Sequence, residues 1–542
     1  MEAKQQIESG ACILGIELGS TRIKAVLINP SGEVLAVGNH PWENRLLRGI
    51  WTYALDEVHS GLRGAYQDLK TNVRIQHGCR LRKLRALGIS AMMHGYLAFD
   101  RQGQGLAEFR TWRNTTTSEA AEQLSQTFQF NIPQRWSVAH LYQAILNGES
   151  HVAQIAHINT LAGYIHWQLT GRKILGIGDA SGMFPIDTER KNWDSTMLQQ
   201  FDGLHTQPWK LRDLLPQVQV AGQEAGILTV VGAALLDPSG DLESGALCCP
   251  PEGDAGTGMV ATNTVSARTG NISAGTSIFA MLVLEAPLSQ MRRVIDLVTT
   301  PEGLLVAMAH CNNGSSDLDA WMKLFGEAAQ KLGARFDTAQ LFETLYRAAL
   351  EEPHPETEPD LEAEADAACG GLLHYGYVAG EDLVGLPEGR PLFVRRPDSP
   401  LTLAHFMRSQ LYSSLCALKV GINILMGEEG VRLDEIRGHG GFFKTQGVGQ
   451  RIMAAVTETP VTVLPHAGEG GAWGIALLAA YAVHRQDNAR PDLAEFLAPF
   501  FASAPSSPEA MHPDPQDVAD FRQYFQRFRQ GLEIERAACR LK

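Results

Sequence analysis

The chain has 542 residues and a formal net charge of −14 at pH 7. This length is too great for one hydrophobic core, so we expect two or more domains. The acidic balance argues against a dedicated nucleic-acid-binding protein, which would need a basic surface. No apolar run is long enough to cross a bilayer, and the first ten residues are polar. We therefore predict a cytoplasmic protein that binds neither nucleic acid nor a membrane.

The first strongly patterned segment lies at residues 13–28. It predicts an apolar strand, a turn at Gly19-Ser20-Thr21 and a second strand, followed by a third strand at 33–37. Glu17 comes at the end of the first strand, beside a turn rich in N–H and hydroxyl donors. Such donors suit a phosphate, and a carboxylate suits the water shell of Mg²⁺. An ordinary β-hairpin with a solvated acid at its tip is the alternative interpretation.

Strand-like and helix-like stretches alternate along the rest of the chain, which favours an α/β fold. A strand is predicted to end at Met92–Gly95, and short strands are predicted at 226–231 and 247–249. Helices are predicted at 118–129, 138–146, 155–169, 403–426 and 518–538. The acid-rich or proline-rich stretches 351–366 and 503–517 are predicted to lie on the surface.

The eight cysteines include no CxxC pair and no cysteine–histidine spacing typical of a metal site. The adjacent residues Cys248 and Cys249 suit neither a zinc site nor an easy disulfide. We therefore expect reduced and mostly packed thiols, as in a cytosolic protein.

Asp254 lies between Gly253 and Ala255, so a ligand could approach the backbone closely. Phosphoryl transfer to a hydroxyl needs a carboxylate that orients the hydroxyl and accepts its proton. A turn aspartate that bonds its own backbone is the common alternative. Residues 256–261 also match G-x-G-x-x-A, but the next acid, Glu285, comes too late for a dinucleotide site. A nicotinamide enzyme that uses this segment therefore stays a weaker hypothesis.

Three further segments place small residues beside strands or helices. Residues 272–277 repeat the design of a strand followed by a donor-rich turn, here Gly275-Thr276-Ser277. The segment Gly440-Gly441-Phe442-Phe443-Lys444 can lay a flat backbone against a nucleotide. Glycines at 468–474 open an apolar helix and allow it to pack closely. Each segment alone is more typical of a turn or a helix contact, but their order and spacing together favour a functional interpretation.

These segments resemble the motifs of the FGGY carbohydrate kinases over residues 11–485. The matching segments, in the order in which the family carries them, are Glu17-Leu18-Gly19-Ser20-Thr21, Met93-His94-Gly95, Trp112-Arg113-Asn114, Gly253-Asp254, Gly275-Thr276-Ser277 and Gly440–Lys444. The sequence is most similar to the xylulokinases and ribulokinases within that family. Two residues depart from the usual aspartate, namely Glu17 in the first motif and Asn114 in the third.

The resemblance implies an α/β protein with two actin-like, ribonuclease H-like ATPase domains that flank a central cleft. The implied ranges are 11–265 for an N-terminal sugar-binding domain and 266–485 for a C-terminal ATP-binding domain. A tail with a terminal helix would follow at 486–542. The implied partner is a small sugar, and the resemblance leaves room for a homodimer.

The resemblance also implies that the γ-phosphoryl group of ATP passes to a sugar hydroxyl, with Asp254 as the catalytic base. The implied sugar-binding residues are Met93, His94, Gly95, Trp112, Asn114 and Asp254. The implied ATP-binding residues are Glu17, Gly19, Ser20, Thr21, Gly275, Thr276, Ser277, Gly440, Gly441 and Lys444. Mg²⁺ would be held by Glu17 and Asp254 through water. Trp112 suits the C–H face of a sugar, although a core tryptophan is an equal alternative.

The implied substrate is a ketopentose such as xylulose or ribulose. The alternative is an ATP-binding protein or ATPase of the same superfamily without sugar kinase activity. Asp254 discriminates between the two, since a chaperone-like or actin-like protein has no need of an acid beside a sugar pocket.

Overall fold

The computed structural model describes residues 2–351, 367–464, 470–487, 492–502 and 509–541. The chain forms two compact units, and neither is contiguous in sequence. The first unit comprises residues 1–267, 290–306 and 469–507, and the second comprises residues 268–289, 307–468 and 508–542. The ranges predicted from the sequence, 11–265, 266–485 and 486–542, are contiguous. They therefore do not anticipate that two later segments group with the first unit.

The strands follow the predicted alternation with helices. In chain order they are β1 (Ile13–Leu18), β2 (Arg22–Ile28), β3 (Val34–Pro41), β4 (Arg45–Leu47), β5 (Ile50–Thr52), β6 (Ala86–Ala91), β7 (Leu97–Phe99), β8 (His157–Asn159), β9 (Ile174–Gly176), β10 (Ile186–Asp187), β11 (Asn192–Trp193), β12 (Gln217–Gln219), β13 (Gly226–Ile227), β14 (Leu247–Cys248), β15 (Glu252–Gly253), β16 (Thr269–Ala274), β17 (Ile278–Val283), β18 (Ile295–Thr299), β19 (Leu305–Cys311), β20 (Leu373–Tyr375), β21 (Leu392–Val394), β22 (Glu435–His439) and β23 (Val461–Val463).

The α-helices are α1 (Ala3–Glu8), α2 (Leu55–His77), α3 (Ser118–Phe128), α4 (Ser137–Leu146), α5 (Leu161–Thr170), α6 (Ile177–Ala180), α7 (Ser195–Asp202), α8 (Leu211–Leu214), α9 (Val230–Leu236), α10 (Asp254–Ala261), α11 (Ser316–Lys331), α12 (Thr338–Ala348), α13 (Leu403–Ile422), α14 (Val448–Thr457), α15 (Gly470–Asp487), α16 (Leu493–Ala502) and α17 (Pro515–Cys539). No helix among the described residues has the length and apolar character that a membrane span requires.

The first unit is built on a seven-stranded sheet in the order β13-β14-β6-β1-β2-β3, with β15 also paired to β6. β1 runs antiparallel to β2 and parallel to β6. Its residues alternate across the two faces of the sheet, and nearly all of them are buried because helices cover both faces. The turn that joins β1 to β2 is the predicted Gly19–Thr21 segment.

Helix α15 lies directly on this sheet because two paired strand residues are glycines. Gly15 of β1 and Gly88 of β6 face each other in the parallel register. A methyl group on Gly15 would come within 2.0 Å of the carbonyl oxygen of Ala472, and one on Gly88 within 2.6 Å of the Ile475 side chain. Side chains at these two positions would therefore hold the helix away from the sheet.

The sheet of the second unit contains strands in the order β19-β17-β16-β22-β23. Its central strand β16 runs antiparallel to β17 and parallel to β22. This is the same arrangement that β1 has with β2 and β6 in the first unit. The predicted Gly275–Ser277 turn joins β16 to β17, so the two units repeat one strand-turn-strand design.

Two local predictions were partly wrong, for the same physical reason. Residues 157–159 form a strand, and the helix predicted at 155–169 begins only at Leu161, after Thr160 accepts a hydrogen bond from the Gly163 N–H at 3.3 Å. Val230 and Val231 likewise begin a helix, because Thr229 accepts a bond from Gly232 N–H at 3.0 Å. A threonine N-cap thus overrides the apolar pattern around it.

The other predicted helices agree with the structure to within a few residues. The long helix predicted at 403–426 is α13, which continues as a π-helical segment at Asn423–Glu428. The terminal helix predicted at 518–538 is α17. Parts of three predicted segments, namely residues 352–366, 468–469 and 503–508, lie outside the described residues.

Candidate active site

The Gly19–Thr21 turn is held on one side by aromatic side chains. Trp42 donates its indole N–H to the Gly19 carbonyl oxygen at 2.7 Å, and Tyr53 donates its hydroxyl to the Ser20 carbonyl oxygen at 2.6 Å. Trp112 reaches the same turn, since its indole N–H lies 3.3 Å from the Ser20 hydroxyl oxygen. The structure thus brings Trp112, predicted to bind the sugar, next to Ser20, predicted to bind phosphate.

Glu17 is half-buried and its carboxyl lies against α15, which argues against the interpretation as an ordinary hairpin with a solvated acid at its tip. A methyl group on Gly471 of α15 would come within 2.5 Å of its Oε1 atom. Burial, and to a lesser degree the charge of Asp254, raise the pKa of Glu17 to about 7 against the opposing effects of Lys24 and a hydrogen bond from the Ala472 backbone. Two carboxylates therefore lie close enough to repel each other, and a bound cation would relieve that repulsion.

Asp254 is the first residue of α10, so it does not lie in an open turn. Its Oδ1 atom accepts hydrogen bonds from the backbone N–H groups of Met93 at 3.1 Å and Ala255 at 3.0 Å. Because both bonds fall on Oδ1, Oδ2 is left for a further partner. Burial raises the pKa of Asp254 to about 6, and these backbone bonds lower it. The carboxyl is therefore ionised at neutral pH and can accept a proton.

The weak dinucleotide motif is explained by this helix. Gly256 and Gly258 lie inside α10, whereas a dinucleotide-binding fingerprint needs them in the turn before the helix. The neighbouring Thr257 packs against α15, where a methyl group on Gly474 would come within 2.1 Å of its carbonyl oxygen. The close contact between the two helices is thus made by Gly474 of α15, and the nicotinamide hypothesis loses its basis because the glycines of the match lie within α10.

Two buried acids next to Asp254 were missed by the sequence analysis. Asp179 accepts a hydrogen bond at 2.7 Å from the Thr160 hydroxyl, and Glu252 accepts bonds from the N–H groups of Gly178 and Asp179. Burial raises the pKa of Asp179 to about 7 and that of Glu252 to about 8. The sequence does contain a pattern that could have indicated Asp179, since Gly176 and Gly178 precede this acid at the end of an apolar strand.

The Met93–Gly95 segment is bent sharply beside Asp254. His94 has φ +69° and Gly95 has φ +88°, a region that residues other than glycine seldom occupy. The Nδ1 atom of His94 lies 3.0 Å from the Gly182 carbonyl oxygen, and Arg135 donates its Nε–H to His94 Nε2 at 3.3 Å. This pair of contacts places a proton on Nδ1 and fixes the orientation of the ring.

Arg135 is a further residue that the sequence analysis did not find. Its guanidinium pairs with Asp296, which also accepts a hydrogen bond from the Asn131 amide at 2.9 Å. Asp296 belongs to β18, more than 150 positions later in the chain. No local motif could have placed these two residues beside His94.

Asn114 is buried, and its amide is already occupied by backbone groups. Its Oδ1 atom accepts the N–H of Trp51 at 2.8 Å, while Nδ2 donates to the carbonyl oxygens of Trp51 at 2.8 Å and Thr111 at 2.9 Å. This geometry ties the loop of Trp112 to strand β5. Direct binding of a sugar by Asn114 stays a prediction, and the contacts favour a supporting role.

The second unit brings its own predicted residues together around two turns. The carbonyl oxygens of Gly275 and Thr276 accept bonds from Ser315 N–H at 2.9 Å and Gly314 N–H at 2.8 Å. Open space surrounds the position that a side chain on Gly275 would occupy. The turn is therefore fixed from one side and accessible from the other, as a phosphate-binding turn requires.

The glycine-rich segment lies beside this turn. Gly440 has φ +102°, and a methyl group there would come within 2.4 Å of the Ala274 carbonyl oxygen, just before Gly275. Only glycine fits at this point. Gly441 begins a 3₁₀ turn, and Lys444 follows it as an exposed residue. Asn313, which the sequence analysis missed, precedes the two residues that bond the Gly275–Ser277 turn. It donates its backbone and side-chain N–H groups to the buried Glu381.

The carboxylates of this site fit a magnesium ion whose other ligands are water and phosphate. Among the described residues, no group of three or more acids, histidines or cysteines could hold a metal ion alone. Mg²⁺ often binds through only one or two carboxylates together with water and phosphates. Glu17 and Asp254 are two carboxylates close enough to interact, and Glu17 comes two residues before Gly19, so the pair matches that requirement.

Comparison with known proteins identifies the class that this fold and these segments define. The sequence profile of the FGGY family of carbohydrate kinases, N-terminal domain, matches residues 12–237, and that of the C-terminal domain matches residues 270–483. The chain therefore belongs to the FGGY family of carbohydrate kinases.

Among individual proteins, the chain is similar to two bacterial xylulose kinases. It is 25% identical to the enzyme of Escherichia coli over 299 residues, which cover 51% of this chain and only 55% of that enzyme. It is 21% identical to the enzyme of Haemophilus influenzae over 533 residues, which cover 95% and 98% of the two chains. The first alignment thus spans about half of its relative.

Solved structures confirm the predicted two-domain actin-like fold. The xylulose kinase of Rhodospirillum rubrum superimposes with a TM-score of 0.75 at 18% identity, covering 96% of this chain and 98% of that chain. The gluconate kinase of Lactobacillus acidophilus superimposes with a TM-score of 0.76 at 16% identity, covering 98% of both. At these identities the likeness concerns the fold alone.

Proposed function

We propose that this protein transfers the γ-phosphoryl group of ATP to a hydroxyl group of a ketopentose, with xylulose and ribulose as the first candidates. The observation that supports this most strongly is the position of Asp254. The Met93 N–H holds Oδ1, and Oδ2 is left to accept a proton beside the Met93–Gly95 segment. A general base in such a place serves a hydroxyl acceptor.

In the proposed reaction, Asp254 orients the sugar hydroxyl and takes its proton as the oxygen attacks the γ-phosphorus. The bond from phosphorus to the bridging oxygen breaks, and ADP leaves. The Gly19–Thr21 and Gly275–Ser277 turns donate hydrogen bonds to phosphate oxygens. The Gly440–Lys444 segment lies against the nucleotide. Glu17 and Asp254 would hold Mg²⁺ through water, and the ion would supply positive charge to the phosphates when bound.

The identity of the sugar is proposed from the relatives named xylulose kinase and from the Met93-His94-Gly95 motif. Specificity rests on pocket shape and a few hydrogen bonds, so a panel of acceptors is needed. The panel contains xylulose, ribulose, glycerol and gluconate, since kinases of glycerol and gluconate share this fold. We expect a ketopentose to give the highest kcat/KM.

The decisive experiment is Asp254→Asn with the best acceptor of that panel. Loss of a general base lowers the rate by about 10² to 10⁴-fold, so we expect a loss in this range while ATP binding is retained. The matched control is Asp213→Asn, at an exposed aspartate of the same unit. Retention of more than about a tenth of the wild-type rate would reject Asp254 as the base. ADP formation without a phosphorylated sugar would instead favour an ATPase.

A further inference from the structure

Trp42 and Tyr53 form a buried aromatic pair against the Gly19–Thr21 turn. Their rings stack with centroids 4.2 Å apart, and their exposed fractions are 9% and 2%. Trp42 follows strand β3, and Tyr53 follows strand β5. Neither residue belongs to a predicted site motif, yet the polar ends of both rings face the turn.

The pair takes up every carbonyl oxygen of the turn. The indole N–H of Trp42 donates to Gly19 O at 2.7 Å, and its backbone N–H donates to Thr21 O at 3.2 Å. The Tyr53 hydroxyl donates to Ser20 O at 2.6 Å. The Gly19 N–H is also used, in a 3.0 Å bond to Arg22 O. In the part of the chain that the structure describes, the N–H groups of Ser20 and Thr21 have no acceptor.

The geometry of the peptide bond means that these carbonyl contacts also fix the directions of the Ser20 and Thr21 N–H groups. In a planar trans peptide, the C=O of one residue and the N–H of the next point in opposite directions. Because Trp42 holds the Gly19 carbonyl, the Ser20 N–H points away from Trp42. Because Tyr53 holds the Ser20 carbonyl, the Thr21 N–H points away from Tyr53. Two donors without acceptors therefore face the side of the turn opposite to the aromatic pair.

We propose that Trp42 and Tyr53 are positioning residues that aim the N–H groups of Ser20 and Thr21 at the β- or γ-phosphate of ATP. This inference rests on the proposed function, because it requires the turn to meet phosphate. The aromatic pair does not touch the substrate. The pair fixes the two N–H donors before ATP binds, so no conformational entropy of the turn is lost when the phosphate binds.

The same pair is connected to the predicted sugar segment. Asn114 bonds both the N–H and the carbonyl oxygen of Trp51, which precedes Tyr53 by two residues. Trp112 also contacts the Ser20 hydroxyl. A displacement of the Trp112 loop would therefore reach the phosphate turn through strand β5.

The opposing interpretation is that Trp42 and Tyr53 are core aromatics whose polar atoms are merely satisfied. The two interpretations differ in what a small change does. Loss of a packing residue lowers stability and affects all ligands alike. Loss of a positioning residue weakens binding of ATP, which carries the β- and γ-phosphates, and spares binding of AMP, which lacks these two.

The test is Tyr53→Phe, which keeps the ring stack and removes only the hydroxyl bond to Ser20. Tyr66→Phe is the matched control, because Tyr66 is fully buried in the same unit and its hydroxyl has no partner among the described residues. Trp42→Phe is the second variant and removes the indole donor. Unfolding midpoints establish that each variant is folded, and calorimetry measures binding of ATP and of AMP in the presence of Mg²⁺.

We expect Tyr53→Phe and Trp42→Phe to weaken ATP binding by about tenfold, the equivalent of one hydrogen bond, with AMP binding unchanged. kcat should fall while the KM for sugar stays constant, and Tyr66→Phe should match the wild type. Equal loss of ATP and AMP binding, unchanged ATP binding, or a wild type that binds no ATP would each overturn the inference. If the wild type binds ATP but phosphorylates no sugar, the proposed function fails, and the ATP-to-AMP comparison still decides this inference.

Discussion

Glu17 carries one methylene more than the aspartate that its relatives usually have. The structure accommodates the longer side chain against Gly471 of α15, where any larger residue would collide with its carboxylate. The carboxyl therefore stays next to Asp254 and the Gly19–Thr21 turn. Its place favours Mg²⁺ and phosphate over the sugar, because the turn offers donors for an anion.

We expect Glu17→Gln to raise the Mg²⁺ concentration needed for half-maximal rate severalfold and to lower the turnover rate. The substitution removes a charge that attracts the hydrated ion and keeps the shape of the side chain. Equilibrium binding of the sugar should not change. A magnesium titration of the rate tests this, with Glu108→Gln at an exposed site of the same unit as the control. Loss of sugar binding with unaltered magnesium dependence would place Glu17 in the sugar pocket.

Asn114 also departs from the aspartate of many relatives, and the structure gives a reason. Its Nδ2 donates to two carbonyl oxygens, those of Trp51 and Thr111. We expect Asn114→Asp to lower the free energy of unfolding by about 1–3 kcal/mol, because a carboxylate oxygen would then face two carbonyl oxygens. Chemical denaturation measures the change. Asn192→Asp is the control, since Asn192 uses only its oxygen, which aspartate retains. Equal stability of both variants would contradict this account.

At this scale the sequence was informative about which residue types carry the chemistry and less informative about their partners. The match of Asp254 to a family motif indicated its role, but its bond to the Met93 N–H joins positions 161 residues apart. Asn114 was assigned to the sugar because it matches the last position of the family's Trp-x-Asp segment. Its backbone partners on strand β5 have no sequence signature, because a backbone group is the same at every position.

At the scale of elements, the repeated strand-turn-strand design makes different demands on its glycines. Gly440 packs against Ala274, just before the Gly275–Ser277 turn. It has φ +102° and leaves no room for a methyl group. Gly275 has no positive φ, and open space surrounds the position of a side chain. Gly440 is therefore needed for folding, whereas Gly275 is needed only if a ligand must approach the turn closely.

We expect Gly440→Ala to lower the free energy of unfolding by about 1–3 kcal/mol, since it adds strain and a contact 2.4 Å from the Ala274 carbonyl oxygen. Gly275→Ala should leave the free energy of unfolding unchanged and weaken ATP binding, because its methyl group would occupy space that the phosphate needs. Thermal unfolding and calorimetry on the two variants separate these effects. If Gly275→Ala binds ATP like the wild type, the turn does not meet phosphate.

The predicted elements failed where a single polar residue decides the outcome. The apolar stretch 155–169 gave a helical pattern throughout, yet Thr160 caps the helix and leaves residues 157–159 as a strand. Hydrophobic periodicity averages over many positions, so one hydrogen bond at a helix start is invisible to it. Long helices such as α13 and α17 were found because their pattern repeats over many turns.

At the scale of the whole molecule, buried carboxyl groups make stability depend on pH. Glu381 of the second unit is fully buried, and burial raises its pKa from 4.5 to about 7, with the Asn313 hydrogen bonds opposing this rise. The folded state therefore holds the proton more tightly than the unfolded state. The corresponding stabilisation is complete below pH 4.5 and is lost as the pH rises through about 7.

We expect the free energy of unfolding of the wild type to fall relative to that of Glu381→Gln as the pH rises from 4.5 to 8, by at most about 3 kcal/mol. Glutamine keeps an oxygen for the two Asn313 donors and does not ionise. Denaturant titrations at several pH values measure the difference. Glu327→Gln, at an exposed position of α11, is the control and should run parallel to the wild type. A constant difference between wild type and Glu381→Gln would show that Glu381 does not titrate on folding.

The family resemblance predicted two actin-like domains, and that fold is confirmed. The discontinuity of the units was not predicted, because it depends on where a helix docks and not on its own pattern. Residues 470–487 have the same apolar character whichever sheet they cover. The glycines at positions 15 and 88 make room for α15, but the sequence does not show which helix fills that space.

The docking of α15 on β1 has a consequence for how the protein is made. Synthesis proceeds from the N-terminus, so β1 and β6 leave the ribosome long before residue 470, where α15 begins. Until then, the glycine-lined face of the first sheet has no helix to cover it. The N-terminal unit thus cannot complete its core during translation of its own strands and must wait for nearly the whole chain. Exposed apolar surface during that interval is where a chaperone would act.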